Sequence, residues 1–91
     1  MKILWSHSSL KNIEQIGDYI AEDSPGSASK FIDKIISSVE RLKKFPLSGS
    51  IVKESPNLRQ VIVQGYRIIY RPKDGLIEII TVLTPKEIYE R

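Results

Sequence analysis

The chain has 91 residues, 41% of them hydrophobic, and fourteen basic against eleven acidic side chains give it a formal net charge of +3. That length allows one domain, residues 1–91, with a core near the smallest that stands unaided, and the absence of cysteine excludes a disulfide framework, a thiolate metal site and a cysteine nucleophile. The longest apolar runs, Val61 to Val63 and Leu76 to Leu83, fall far short of a membrane span, and MKILWSHSSLK lacks the apolar region of a signal peptide, so the expectation is a soluble, cytoplasmic chain with no membrane partner.

Lys2-Ile3-Leu4-Trp5 has strand character and runs into Ser6, a good N-cap. Leu10, Ile13, Ile16 or Gly17, and Ile20 recur at helical spacing with charges on the other faces, which predicts an amphipathic helix stopped by Asp23-Ser24-Pro25-Gly26. Ser24 then caps a second helix with Pro25 in its first turn, where a missing N–H costs nothing. Ala28, Phe31, Ile32, Ile35, Val39 and Leu42 form its apolar stripe, and it ends before Pro46. So short a link predicts an antiparallel helical hairpin whose joint stripe needs a cover. Trp5 reads as a core anchor beneath it.

Leu47 to Asn57 reads as a connector with a brief extended piece at Ile51 to Lys53. LRQVIVQGYRIIYRPKDGLIEIITVL then gives three runs rich in Ile, Val and Tyr, punctuated by Gln64-Gly65 and by Pro72-Lys73-Asp74-Gly75, which predicts three antiparallel strands joined by tight hairpins. Thr84-Pro85 starts a last helical turn, Lys86 to Arg91. The expected fold is α+β: an N-terminal strand and an antiparallel two-helix hairpin on one face of a three- to four-stranded, mainly antiparallel sheet. The first strand's place is open, and the sheet's other face is left for a ligand or partner.

Between Leu58 and Lys73 lie Arg59, Arg67, Arg71 and Lys73 and no acidic residue. Strand alternation puts Arg67, Ile69 and Arg71 on one face and Tyr66, Ile68 and Tyr70 on the other. Which face of the preceding strand, that of Arg59, Val61 and Val63 or the other, joins Arg67 depends on the hairpin register. A cluster of cations attracts phosphate or a carboxylate-rich partner; the alternative for Arg67 and Arg71 is a solvated face or a cross-strand pair with Glu78. Tyr66 and Tyr70 read as packing at the core edge. His7 reads as a surface residue, the lysines of the second helix as a solvated face, and no metal constellation or phosphate loop is present, so no metal or cofactor is expected.

DYIAEDSPGSASKFIDKI, VERLKKFPLSGS and LRQVIVQGYRIIYRPKDGLIEIITVL, in that order, resemble the ParE branch of the RelE/ParE toxin superfamily from Trp5 to about Leu83. The resemblance implies the toxin of a type II toxin–antitoxin module, neutralised by a small, acidic, partly disordered antitoxin. In the ParE branch such a toxin inhibits growth by binding DNA gyrase without making or breaking a bond. The alternatives are a RelE-like, ribosome-dependent mRNA endonuclease and a decayed member that only binds its antitoxin. Arg59 matches the arginine that opens the first meander strand of ParE-like sequences, and Arg67 that of the G-x-Y-R-x-x-Y signature of both branches. With Arg71 and Lys73 these form the implied target-binding set. Tyr89 resembles the C-terminal tyrosine of the nucleases, so a nuclease would use Arg67 with Lys86 and Tyr89. Cutting RNA through its 2′-hydroxyl needs a base and an acid besides cations on the phosphate, and Tyr66 and Tyr70 are further tyrosines that could shuttle protons. The chain departs from the pattern in having Thr84-Pro85 after the last strand, Gly49-Ser50 after the FP turn, and, Arg59 aside, a neutral strand where the nucleases carry lysines.

Overall fold

The computed structural model describes residues 1–85. The elements in chain order are β1 (Lys2–Trp5), α1 (His7–Asp23), α2 (Pro25–Arg41), β2 (Ser50–Val52), β3 (Ser55–Val63), β4 (Tyr66–Lys73) and β5 (Leu76–Leu83). The helical turn expected over Lys86 to Arg91 lies outside the described residues.

Both helices start where their caps predict. The Ser9 N–H donates to Ser6 Oγ at 3.0 Å, and the same hydroxyl donates to the Ile80 carbonyl at 2.8 Å. One side chain therefore satisfies an orphan donor of α1 and ties its start to β5. At α2, Ser24 Oγ accepts from the Ser27 N–H with Pro25 in the first turn. Ser24 alone separates the helices, and they approach closely at Gly17, where an added Cβ would come within 3.2 Å of Ile32 Cδ1.

The stripe predicted for the second helix is buried at Ala28, Phe31, Ile35, Val39 and Leu42, whereas of the residues predicted for the first only Ile16 and Gly17 are buried and Leu10 is exposed. Ile16, Phe31, Ile35, Val39 and Leu42 meet Ile68, Tyr70, Ile77, Ile79 and Val82 of the sheet. Ile35, Ile68, Ile77 and Ile79 are 0% exposed, so cutting any of them back to alanine costs about 2–5 kcal/mol through lost burial and the cavity left behind.

The sheet has five strands in the order β1-β5-β4-β3-β2, with β1 parallel to β5 and the other pairs antiparallel. It is wider than expected because Ser50 and Ile51 of the connector pair with Gln60 and Arg59, and because β1 takes the opposite edge. The two hairpin turns narrow to Gln64-Gly65 (φ 51° and 88°) and Asp74-Gly75 (φ 52° and 79°). Left-handed backbone at both central residues is the type I′ pattern, whose twist suits flanking strands.

Two irregularities shape the sheet. Ile69 pairs with Thr81 but Tyr70 pairs with Ile79, so Ile80 is an extra residue in β5. Beyond β1 the edge of β5 is closed by α1 instead of a strand: Asn12 Oδ1 accepts from the Val82 N–H at 3.1 Å and from Thr81 Oγ1 at 2.8 Å. The β3–β4 ladder in turn ends at Arg59 opposite Tyr70. Pro72, with no N–H to offer, therefore sits where β4 has only β5 beside it, an edge-like position that tolerates proline.

Candidate target-binding face

The β3–β4 register decides which cations stand together. Arg59, Val61 and Val63 oppose Tyr70, Ile68 and Tyr66, so they share the face turned to the helices, while Gln60 and Ile62 oppose Ile69 and Arg67 on the outer face. Arg67 and Arg71 are on the outer face, as strand alternation requires; Arg59 is not. Its Nη1 donates to the Leu47 carbonyl at 3.1 Å and to that of Gly49 at 2.9 Å. The register left open by the sequence thus separates Arg59 from Arg67, and the grouping of Arg59 with the outer-face cations is corrected: Arg59 clasps the connector, and four residues of strand, about 13 Å, separate Arg67 from Arg71.

On the outer face the two arginines differ in their partners. Arg67 Nε donates to Gln60 Oε1 at 2.6 Å, a neutral acceptor that orients the guanidinium and leaves its charge without a carboxylate partner among the described residues. Arg71 Nη2 instead lies 2.7 Å from Glu78 Oε1 across the ladder, with side-chain exposures of 42% and 32%. That is the cross-strand pair weighed from the sequence, and at such exposure its worth is about 1 kcal/mol or less. Arg71 Nε is buried without a hydrogen-bond partner. Ile69, between the arginines on the same face, is only 6% exposed, which fits arginine stems lying across apolar surface. Leu4, Ile62 and Leu76 remain exposed, so the face mixes cations with apolar side chains.

The tyrosines of β4 are on the other side. Tyr70 is fully buried, its hydroxyl accepting from the Gly49 N–H at 3.0 Å and donating to the Pro46 carbonyl at 2.8 Å. Tyr66 packs on Phe31 with ring centroids 4.8 Å apart. Neither is available to move protons beside Arg67. Lys86 and Tyr89 lie outside the described residues, Lys73 is exposed at the end of β4, and His7 is exposed on α1. Among the described residues no group of three or more His, Cys, Asp or Glu side chains is placed to hold a metal.

Sequence reasoning missed Gln60, which aims Arg67, and Asn12, which finishes the sheet edge. It noted the FP turn and the glycine after it without seeing their use. An added Cβ on Gly49 would lie 2.6 Å from Tyr70 Oη and 2.7 Å from the Gln60 carbonyl, so only glycine fits where the connector crosses the end of the sheet.

The sequence model of the ParE toxin of type II toxin–antitoxin systems, parDE, matches residues 3–89. The chain belongs to the ParE toxin family. It is 30% identical over 83 residues to Y4kP of Sinorhizobium fredii, a protein named as a toxin, covering 90% of this chain and 85% of that one. It is 28% identical over 82 residues to toxin RelE2 of Caulobacter vibrioides, covering 89% and 91%. Among solved structures, it resembles the chromosomal ParDE toxin–antitoxin system of P. aeruginosa with a TM-score of 0.78 at 22% identity, covering 92% of this chain and 95% of that one. The RelB–RelE antitoxin–toxin complex of Methanococcus jannaschii gives a TM-score of 0.60 at 22% identity, covering 96% and 95%. At these identities the structures speak for the fold, which is RelE/ParE-like. As a ParE-family protein the chain is the toxin of a type II toxin–antitoxin module. Among the described residues no helix is long and apolar enough to cross a membrane.

Proposed function

We propose that this ParE-family toxin arrests growth in the cytoplasm by binding its target through the outer sheet face, with Arg67, Arg71 and Lys73 as the contacting cations and DNA gyrase as the target. The observation that carries this reading is what surrounds Arg67. It stands between Ile62 and, across β5, Leu83, oriented by Gln60, and both tyrosines of its strand face the helices. That supplies charge and apolar contact, the means of binding, and among the described residues no acid or base of the kind that cutting RNA demands stands beside Arg67. Gln60 and Ile62 flank Arg67 on β3, a strand that is neutral apart from Arg59 where the RelE-like pattern carries lysines. Arg59 is not on this face; it holds the connector.

The cognate antitoxin is, on this reading, small and acidic, with a partly disordered segment that orders on the toxin. β2 pairs with β3 no further than Ser50 opposite Gln60, which leaves Val61 to Val63 without a strand partner on that side among the described residues. This edge opens into a recess of about 460 Å³ that Arg41, Leu42 and Ser48 also line. A backbone segment added there would gain ladder hydrogen bonds and bury Val61 and Val63 further.

Induced expression tests the target reading. The expected result is growth arrest with gyrase-linked DNA damage, relieved by an Arg67→Ala variant that still folds. Equal toxicity in that variant removes Arg67 from the account. Ribosome-phased mRNA cuts in the same cells would replace the reading with the RelE-like one, toward which the likeness to toxin RelE2 points. Neither signal would mark a member that only binds its antitoxin.

A further inference from the structure

Past Tyr70 the strands β3 and β4 part. β4 runs on to Lys73 against β5, β3 reaches back to Ser55 against β2, and Pro72 has no N–H with which to continue a ladder between them. The gap is a recess of about 380 Å³ lined by Leu47, Asn57, Arg59, Arg71, Pro72 and Lys73. Three of the six are cations and none is acidic.

The three cations differ in what holds them. Arg59 is held by two backbone carbonyls through a single nitrogen, so its fork is positioned in advance while its charge meets no carboxylate. Neither Arg59 nor Lys73 is paired with a described acidic residue in the ion pairs seen, which join Lys43 to Glu40 and Arg71 to Glu78. Arg71 and Lys73 together form the wall between this recess and a second one lined also by Leu4, Asp74, Leu76 and Glu78. Glu78 occupies one nitrogen of Arg71 while Nε, buried, has no acceptor. That pose leaves a donor unsatisfied, and a change of the Arg71 rotamer that turns Nε toward an oxyanion in the basic recess would supply the acceptor.

We propose that this recess binds a phosphate group. Two arginines, a lysine and Asn57 line one volume, a donor-bearing set that matches a dianion with three or more acceptor oxygens. A single carboxylate would saturate one fork and leave two cations uncompensated. Arg67 is not part of the recess. The biological meaning rests on the target-contacting role given above to Arg71 and Lys73; the binding does not.

The test is an NMR titration of the full-length chain with sodium phosphate against sodium chloride at matched ionic strength. Saturable shifts at Asn57, Arg59, Arg71 and Lys73 are expected, with affinity about tenfold weaker in Lys73→Gln, as loss of one charge-assisted contact implies. Lys11→Gln, an equal loss of charge on α1, should leave the affinity unchanged. Shifts that never saturate, equal affinity in Lys73→Gln, or a hexaglutamate peptide that binds at least as tightly as phosphate would each overturn the proposal. Adenosine 5′-monophosphate and a single-stranded oligonucleotide separate the source: tighter binding of the mononucleotide assigns the recess to a free nucleotide, and tighter binding of the oligonucleotide to a chain's backbone, phosphate being the recognised group in both. A toxic Arg67→Ala variant would leave this titration standing, and a flat titration would leave the growth arrest standing.

Discussion

Replacing Tyr70 by phenylalanine removes one oxygen and keeps the ring that fills the core. That oxygen joins the FP turn and Gly49 to the sheet, accepting from the Gly49 N–H at 3.0 Å and donating to the Pro46 carbonyl at 2.8 Å. Each bond contributes about 1 kcal/mol net, and a donor left buried without a partner costs about 1–3 kcal/mol. Gly49 is buried, so its N–H stays orphaned, while the half-buried Pro46 carbonyl can turn to water. The expected loss is therefore about 2–4 kcal/mol, a large share of the 5–15 kcal/mol typical of a folded domain. Urea unfolding followed by the fluorescence of Trp5, the one tryptophan, reads it directly. At a slope of about 1–3 kcal/mol per molar for a small domain, the midpoint should fall by about 0.7–4 M with the slope unchanged. A loss below about 0.5 kcal/mol, the range of surface substitutions, would refute the reasoning, because the connector would then be held by something other than this hydroxyl.

Gly49→Ala should destabilise by about 1–3 kcal/mol through overpacking. It should still do so in the Tyr70→Phe background, since the Gln60 carbonyl stays 2.7 Å from the new Cβ; a neutral double variant would place the clash at the hydroxyl alone. Asn12→Ala strips the Val82 N–H of its acceptor, so it should cost about 1–3 kcal/mol and speed hydrogen exchange at Val82 more than at Ile79, which β1 covers. Glu78→Gln breaks a half-exposed ion pair and should change stability by less than about 1 kcal/mol, read from the same urea midpoints; a larger loss would mean that the pair organises the outer face.

What the order of residues determined about this protein was local or periodic. Ser6 and Ser24 cap helices because a side-chain oxygen one turn from an orphan N–H needs no distant partner. Gln64-Gly65 and Asp74-Gly75 turn the chain because of backbone preference within a few residues. The stripe through Phe31, Ile35 and Val39 was legible because helical period selects a face. Alternation likewise put Arg67 and Arg71 together within one strand, and the ordered motifs around them carried the family. Register and edge pairing belong to the tertiary structure alone. Whether Arg59 joins Arg67 depends on how β3 slides against β4, and a shift of one residue would reverse it. The parallel seat of β1 beside β5, the hold of Gln60 on Arg67, and the meeting of Tyr70 with Gly49 and Pro46 bring together groups far apart in the chain or in neighbouring strands. Such contacts form only because burying the helical stripe against the sheet leaves them no other place.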